Sequence, residues 1–75
     1  MTLFEISPSE AILTDLIHDL SQPLGNIETS AYCLNLITDP AEVRVHEHLR
    51  AIEQQVARAA EMLAAAAAEL RRLRA

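Results

Sequence analysis

The 75-residue sequence predicts an all-α fold, an antiparallel two-helix hairpin that pairs with a second copy to form a four-helix bundle. Three observations lead to this prediction. The chain is 51% hydrophobic, with alanine and leucine dominant and a single glycine, a composition typical of coiled coils and helix bundles. Two N-terminal capping patterns divide the chain into two long segments. Apolar residues recur at helical spacing through both segments.

The first helix is expected over residues 8–37, preceded by an N-terminal arm over 1–7. Ser7 is a candidate N-cap, Pro8 occupies the first helical position, where no amide donor is needed, and Glu10 can close a capping box. The arm lacks the basic and long apolar regions of a signal peptide.

The second helix is expected over residues 40–75. Asp39 is the candidate N-cap, Pro40 opens the helix and Glu42 closes the capping box. Because the connection between the two helices is so short, they must run antiparallel as a hairpin. Residues 8–75 therefore form a single domain.

Apolar residues repeat every seven positions in both helices. The second helix carries two such sets: Val45, Ile52, Ala59, Ala66 and Leu73, and then Leu49, Val56, Leu63 and Leu70. The first helix carries Leu13, Leu20, Ile27 and Leu34, and its stripe is widened by Leu16, Ile17, Leu24 and Ala31. Since a stripe this wide needs more than one neighbour, we predict a homodimer whose stability depends on protomer concentration.

One heptapeptide departs from this regular pattern: His-Asp-Leu-Ser-Gln-Pro-Leu, from His18 to Leu24. With Leu13 and Leu20 in the seam, His18 falls at the position farthest from it and should face solvent. Pro23 removes a backbone hydrogen bond, so the helix should bend just after the histidine. A proline inside a helix costs about 3 kcal/mol relative to alanine, and scaffolding alone gives no reason to tolerate that cost.

The heptapeptide resembles the H-box of sensor histidine kinases, with histidine, acid, glutamine, proline and leucine in register. In that family the H-box lies on the first helix of the dimerisation and histidine phosphotransfer domain, a hairpin that dimerises into a four-helix bundle. The resemblance implies that His18 is the phospho-acceptor and that Asp19 orients the imidazole and accepts its other proton. It also implies that Gln22 helps to position a water for dephosphorylation of a partner.

The resemblance further implies a docking surface for the receiver domain of a response regulator. Ser21 and Gly25 would belong to it, because Gly25 removes a side chain from the surface below the histidine. Tyr32 is either part of this surface or part of the bundle periphery. The implied function is that of a phospho-acceptor module, which relays phosphate from His18 to a response-regulator aspartate.

No cofactor is expected in this chain. The family binds ATP and Mg²⁺ in a separate kinase domain, and one glycine excludes a glycine-rich phosphate loop here. Autonomous kinase activity is therefore not expected, and an ATP-binding domain must act in cis or in trans. The chain is then either a piece of a kinase or a stand-alone phosphotransfer protein. No metal site is expected, because His46 and His48 point about 200° apart on a helix and cannot chelate one ion.

Charge and cysteine content bound the partners and the compartment. Six arginines, no lysine and eleven acidic residues give a net charge of −5, which argues against nucleic acid as a partner. No apolar run approaches the ~20 residues of a membrane span. Cys33, expected to be semi-buried, has no disulfide partner in the chain, which favours the cytoplasm. The alternative function is a non-catalytic coiled-coil module for dimerisation or partner binding, a degenerate kinase-like scaffold in which His18 is never phosphorylated.

Overall fold

The computed structural model describes residues 8–74, and these residues form two helices, α1 (Pro8–Ile37) and α2 (Val43–Arg74). The helices lie side by side and antiparallel, so the predicted all-α hairpin is confirmed. Helix α1 has the bounds that the sequence predicts and continues without a break through Pro23. The N-terminal arm with the candidate cap Ser7 lies outside the described residues.

Helix α1 ends at Ile37 because of the proline three residues later. A residue that precedes proline is disfavoured in the α region, so Asp39 leaves the helix. One of the last carbonyls is satisfied locally: both the backbone N–H and the hydroxyl of Thr38 donate to the carbonyl of Leu34. No glycine and no positive φ is needed to end the helix.

Helix α2 begins at Val43, three residues later than the expected start at Pro40. The N–H of Ala41 donates to Oδ1 of Asp39 at 2.8 Å, and the N–H of Glu42 donates to the Asp39 carbonyl at 2.9 Å. The first bond closes an Asx turn, and the second closes a β-turn with Pro40 and Ala41 at its centre. The expected boundary is wrong because aspartate followed by proline suits the start of a turn as well as the start of a helix.

The interior of the hairpin is small. Among the described residues only Ala31, Leu49 and Val56 are buried, at 3%, 4% and 5% exposure. Half-buried apolar residues extend this seam at seven-residue spacing: Ile17 and Leu24 in α1, Leu63 and Leu70 in α2. The α2 side of the seam is thus the second of the two heptad sets predicted for that helix. Helix α1 contacts α2 through Ile17, Leu24 and Ala31, which were predicted only to widen its apolar stripe.

The other apolar residues remain uncovered. We refer to one exposed set of apolar residues as the open apolar face. It consists of Leu13, Leu16, Leu20, Ile27 and Leu34 of α1 with Val45, Ile52 and Leu73 of α2. The chain exposes 6313 Å², whereas a compact monomer of its mass exposes about 4,600 Å². The excess is larger than the roughly 800 Å² that each partner buries in a standard protein interface. One hairpin therefore cannot cover its own apolar surface.

Cys33 differs from the expectation of a semi-buried thiol. Its side chain is exposed, because it lies two positions beyond buried Ala31, about 200° around the helix from the seam. The thiol makes no contribution to the interior of the hairpin.

Candidate functional site

His18 is exposed near the middle of α1 and lines a groove of about 320 Å³ between the two helices. Ser21 and Gly25 line the same groove from α1. Small residues of α2 form the opposite wall: Ala60, Ala64 and Ala67. The expectation that His18 lies farthest from the seam is wrong, since α1 faces α2 along Ile17 and Leu24, and this rotation brings His18 to the flank of the seam.

His18 and the open apolar face lie on opposite sides of the hairpin. Leu16 and Leu20 are each two positions from His18, which places them about 160° around the helix from it. On α2, buried Val56 has the His18 groove along one edge, while Ile52 borders a separate hollow along its other edge. A molecule that covers the open apolar face would leave the His18 groove uncovered.

The imidazole of His18 makes no hydrogen bond with any group of residues 8–74. Gln22 follows it by four positions, so the two side chains share one face of α1. Asp19 is adjacent in the chain. The orienting role of Asp19 and the water-positioning role of Gln22 both stay predictions.

The hydroxyl of Ser21 donates to the carbonyl of Ile17 at 2.8 Å. Its proton is therefore engaged in the helix, and the oxygen remains free to accept a bond from a partner. Two positions later, Pro23 has no N–H to donate to the carbonyl of Asp19. The helix surface near His18 thus presents two hydrogen-bond acceptors: the hydroxyl oxygen of Ser21 and the Asp19 carbonyl, which lacks its usual helical donor.

Gly25 is not required by the packing of the hairpin. A Cβ at this position would meet no atom within 4 Å, so alanine would fit and would favour the helix by about 0.5–1 kcal/mol. The glycine keeps the groove wide below His18. With Pro23, it is the second helix-unfavourable residue within one turn, and neither serves the contact between α1 and α2.

Tyr32 lies on the same flank as His18. It is 60% exposed and lines a second hollow of about 540 Å³ with Glu28, Thr29, Glu53 and Ala57. Because Glu28 also lines the His18 groove, the two hollows adjoin. We call the combined surface the His18 face. It contains all three residues expected to dock a partner.

His46 has a role that the sequence did not reveal. Its Nδ1 lies 2.6 Å from Oδ1 of Asn35, and its Nε2 lies 3.0 Å from the carbonyl oxygen of Asp39. Since a carbonyl only accepts, Nε2 is the donor of the second bond. His46 thereby ties α2 to the end of α1 and to the turn. The available signal was its spacing, three residues before Leu49 on the seam side of α2.

Replacement of His46 by phenylalanine should destabilise the hairpin by about 1–2 kcal/mol, because it leaves the Asn35 amide and the Asp39 carbonyl without their partner. The loss would appear as a lower urea midpoint, monitored by circular dichroism. His48→Phe is the matched control, since His48 is exposed and makes no such bond. Equal midpoints for the two variants would show that His46 does not hold the turn.

Within residues 8–74, no group of three or more histidine, cysteine or acidic side chains is arranged to hold a metal ion. Neither α1 nor α2 has the length and hydropathy needed to cross a membrane. A scan of known protein families, a search of curated proteins and a search of solved structures found no match to this chain.

Proposed function

We propose that the chain is a homodimeric phospho-acceptor module of a two-component signalling system. His18 would receive a phosphoryl group and pass it to an aspartate of a response-regulator receiver domain. The observation that carries this proposal is the separation of the two faces. A second copy can cover the open apolar face and complete a four-helix bundle, while both His18 side chains stay accessible.

The two helix-unfavourable residues beside His18 support the same proposal. Gly25 has open space where a Cβ would stand, and Pro23 lies inside α1. Neither contributes to the seam, and each lowers helix stability. Such local costs are typical of functional sites, where shape and accessibility matter more than stability.

Transfer would use the exposed imidazole as the nucleophile. Uncharged imidazole has a lone pair on one nitrogen, and Nε2 of His18 would attack the phosphorus of an aspartyl phosphate or of ATP held by another domain. The phosphorus–oxygen bond to the donor would break, and the free aspartate or ADP would leave. Asp19 would orient the ring and take the proton of the other nitrogen. Gln22 would position the water that dephosphorylates the receiver. Ser21, Gly25 and Tyr32 would contact the receiver domain.

The proposal assigns no cofactor to this chain. ATP and Mg²⁺ would enter only through a separate kinase domain, in cis or in trans. We propose the cytoplasm as its compartment, since receiver and kinase domains of such systems operate there. The net charge of −5 is the reason for proposing protein partners and not nucleic acid.

A second candidate function uses the dimer alone. In this alternative the chain is a structural coiled-coil module, and His18 is never phosphorylated. It is favoured by the His18 imidazole, which has no hydrogen-bond partner among residues 8–74 to fix its tautomer. Both functions need the open apolar face, so only chemistry at His18 separates them.

The test is a transfer experiment with receiver domains of the source organism, each phosphorylated with ³²P-labelled acetyl phosphate. Acid-labile, base-stable label should appear on the chain and should be absent in His18→Gln. His48→Gln is the control: it also removes an exposed histidine of a helix, and it should keep the label. If no receiver and no ATP-binding kinase domain labels the chain, or if His18→Gln is labelled equally, the structural alternative holds.

A further inference from the structure

We propose that Glu28 and Glu53 on the His18 face form a receptor for one arginine or lysine side chain of the docking partner. The inference rests on the proposed function, because it states what the receiver protein must present beside His18. It is drawn from the unpaired carboxylate of Glu53 and from the charges around it.

Glu53 is a charged residue in an interhelical position. It lies between the buried residues Leu49 and Val56 on α2 and is half-buried. Its Oε1 has almost no accessible surface and no hydrogen-bond partner, so a donor from outside can reach it only when the side chain turns into the neighbouring hollow. Buried carboxylates in proteins are normally paired, since desolvation without a compensating donor is costly. Glu53 therefore has an unmet requirement for a donor.

The hollow beside Glu53 has the size and the lining residues that suit an organic cation. This hollow has a volume of about 540 Å³ and is bordered by Glu28 and Tyr32 of α1. An exposed aromatic ring attracts a cation through its face. Thr29, the remaining polar residue of the lining, already donates its hydroxyl to the Gly25 carbonyl at 3.0 Å. Two glutamates and a tyrosine thus line one opening.

Residues 8–73 place no cation in this hollow. No arginine lines this hollow or the adjoining His18 groove. Arg50, one turn before Glu53, borders a different hollow near Thr38 and His46. Arg72 forms an ion pair with Glu69 of its own helix. A pair of glutamates without a third acidic, histidine or cysteine ligand does not make a metal site either.

The neighbouring groove indicates which kind of molecule brings the cation. Three of the five α2 residues that line the His18 groove are alanines, Ala60, Ala64 and Ala67, and small side chains allow the close approach of a protein element. The groove and the hollow meet at Glu28. A partner helix on the alanines could therefore place one basic side chain between the two glutamates.

The receptor can be tested with ethylguanidinium as a stand-in for the arginine side chain. The whole ¹⁵N-labelled chain is titrated at pH 7 with ethylguanidinium chloride, and a parallel titration uses sodium chloride. Saturable shifts are expected at the amides of Glu28, Tyr32 and Glu53. Affinity should fall at least about tenfold in Glu53→Gln and in Glu28→Gln, because each variant removes one of the two charges.

Glu61→Gln is the charge-matched control, since Glu61 is exposed on α2 and borders neither hollow. It should bind ethylguanidinium like the unmodified chain. Glu28 is exposed as well, so Glu28→Gln keeps the test valid even if Glu53→Gln fails to fold. Shifts that do not saturate, or equal affinity in all variants, would overturn the receptor.

Failure of the receptor and failure of the proposed function are distinguishable. The titration needs no phosphoryl transfer, so specific binding of ethylguanidinium supports the receptor even when no receiver labels His18. Conversely, a receiver that labels His18 with the same KM in Glu28→Gln and in the unmodified chain would refute the receptor and leave the phospho-acceptor function intact.

Discussion

The double substitution Leu20→Glu and Ile27→Glu should separate the dimer and abolish most of the helical circular dichroism at micromolar concentration. Both side chains lie on the open apolar face and are 44% and 46% exposed in the hairpin, so glutamate is compatible with the single hairpin. In a dimer each substitution loses about 1.5–3 kcal/mol of apolar burial and adds a charge. The dissociation constant should rise at least about 100-fold.

Unfolding should accompany dissociation, because the isolated hairpin buries only Ala31, Leu49 and Val56 among its described residues. Sedimentation velocity should give a dimer for the unmodified chain and a monomer for the double variant. Leu36→Glu is the control, since Leu36 is 67% exposed and borders the hollow at the turn. A monomeric unmodified chain that is fully helical at micromolar concentration would refute the dimer.

Leu49→Ala should have the second largest effect and should destabilise the chain by about 2–5 kcal/mol, the range for removal of a buried leucine. Leu49 is 4% exposed and is the largest of the three buried residues. The measurement is urea unfolding at a protein concentration well above the dimer dissociation constant, so that dissociation does not enter the comparison.

Leu36→Ala makes the same chemical change on the surface, where Leu36 is 67% exposed. It should change the free energy of unfolding by less than about 0.5 kcal/mol. If both variants lose the same free energy, the interhelical seam assigned to Leu49 is wrong. A loss for Leu49→Ala alone would confirm that the α2 seam holds the hairpin.

The fold was predictable from the sequence because local and long-range signals agree. Pro8 and the proline-containing turn separate two segments, and both segments repeat apolar residues at helical spacing. The start of α2 was not predictable to the residue. Asp39 followed by Pro40 satisfies the rules for a helix cap and for a turn, and the bonds of Ala41 and Glu42 to Asp39 decide for the turn.

The seam of α1 was the harder problem. The leucines at 13, 20 and 34 form the more hydrophobic set, yet α1 packs on α2 through Ile17, Leu24 and Ala31. Ala31 is small enough for close approach at the turn end, where His46 also ties the helices together. Sequence periodicity identifies a broad apolar arc, but tertiary packing decides which part of the arc faces the same chain and which part stays open.

The candidate site was only partly predictable, because it too depends on how α1 is rotated relative to α2. The exposure of His18 follows from helical periodicity, and the structure agrees. Its groove does not follow, because the groove depends on the rotation of α1 relative to α2. The roles of His46 and Glu53 depend on neighbours distant in sequence, such as Asn35 and Tyr32, which no local pattern reveals.

The interior of the hairpin is unevenly distributed along its length. Ala31, Leu49 and Val56 all lie in the half nearer the turn, and no described residue is buried beyond them toward the far end. The packing between the helices is therefore tightest near the turn and weaker toward the far end. Local opening costs less free energy where fewer residues are buried, so we expect the far end to open more readily than the end nearer the turn. His18 lies between these regions, and a small change in the separation of the two helices there would alter the width of its groove.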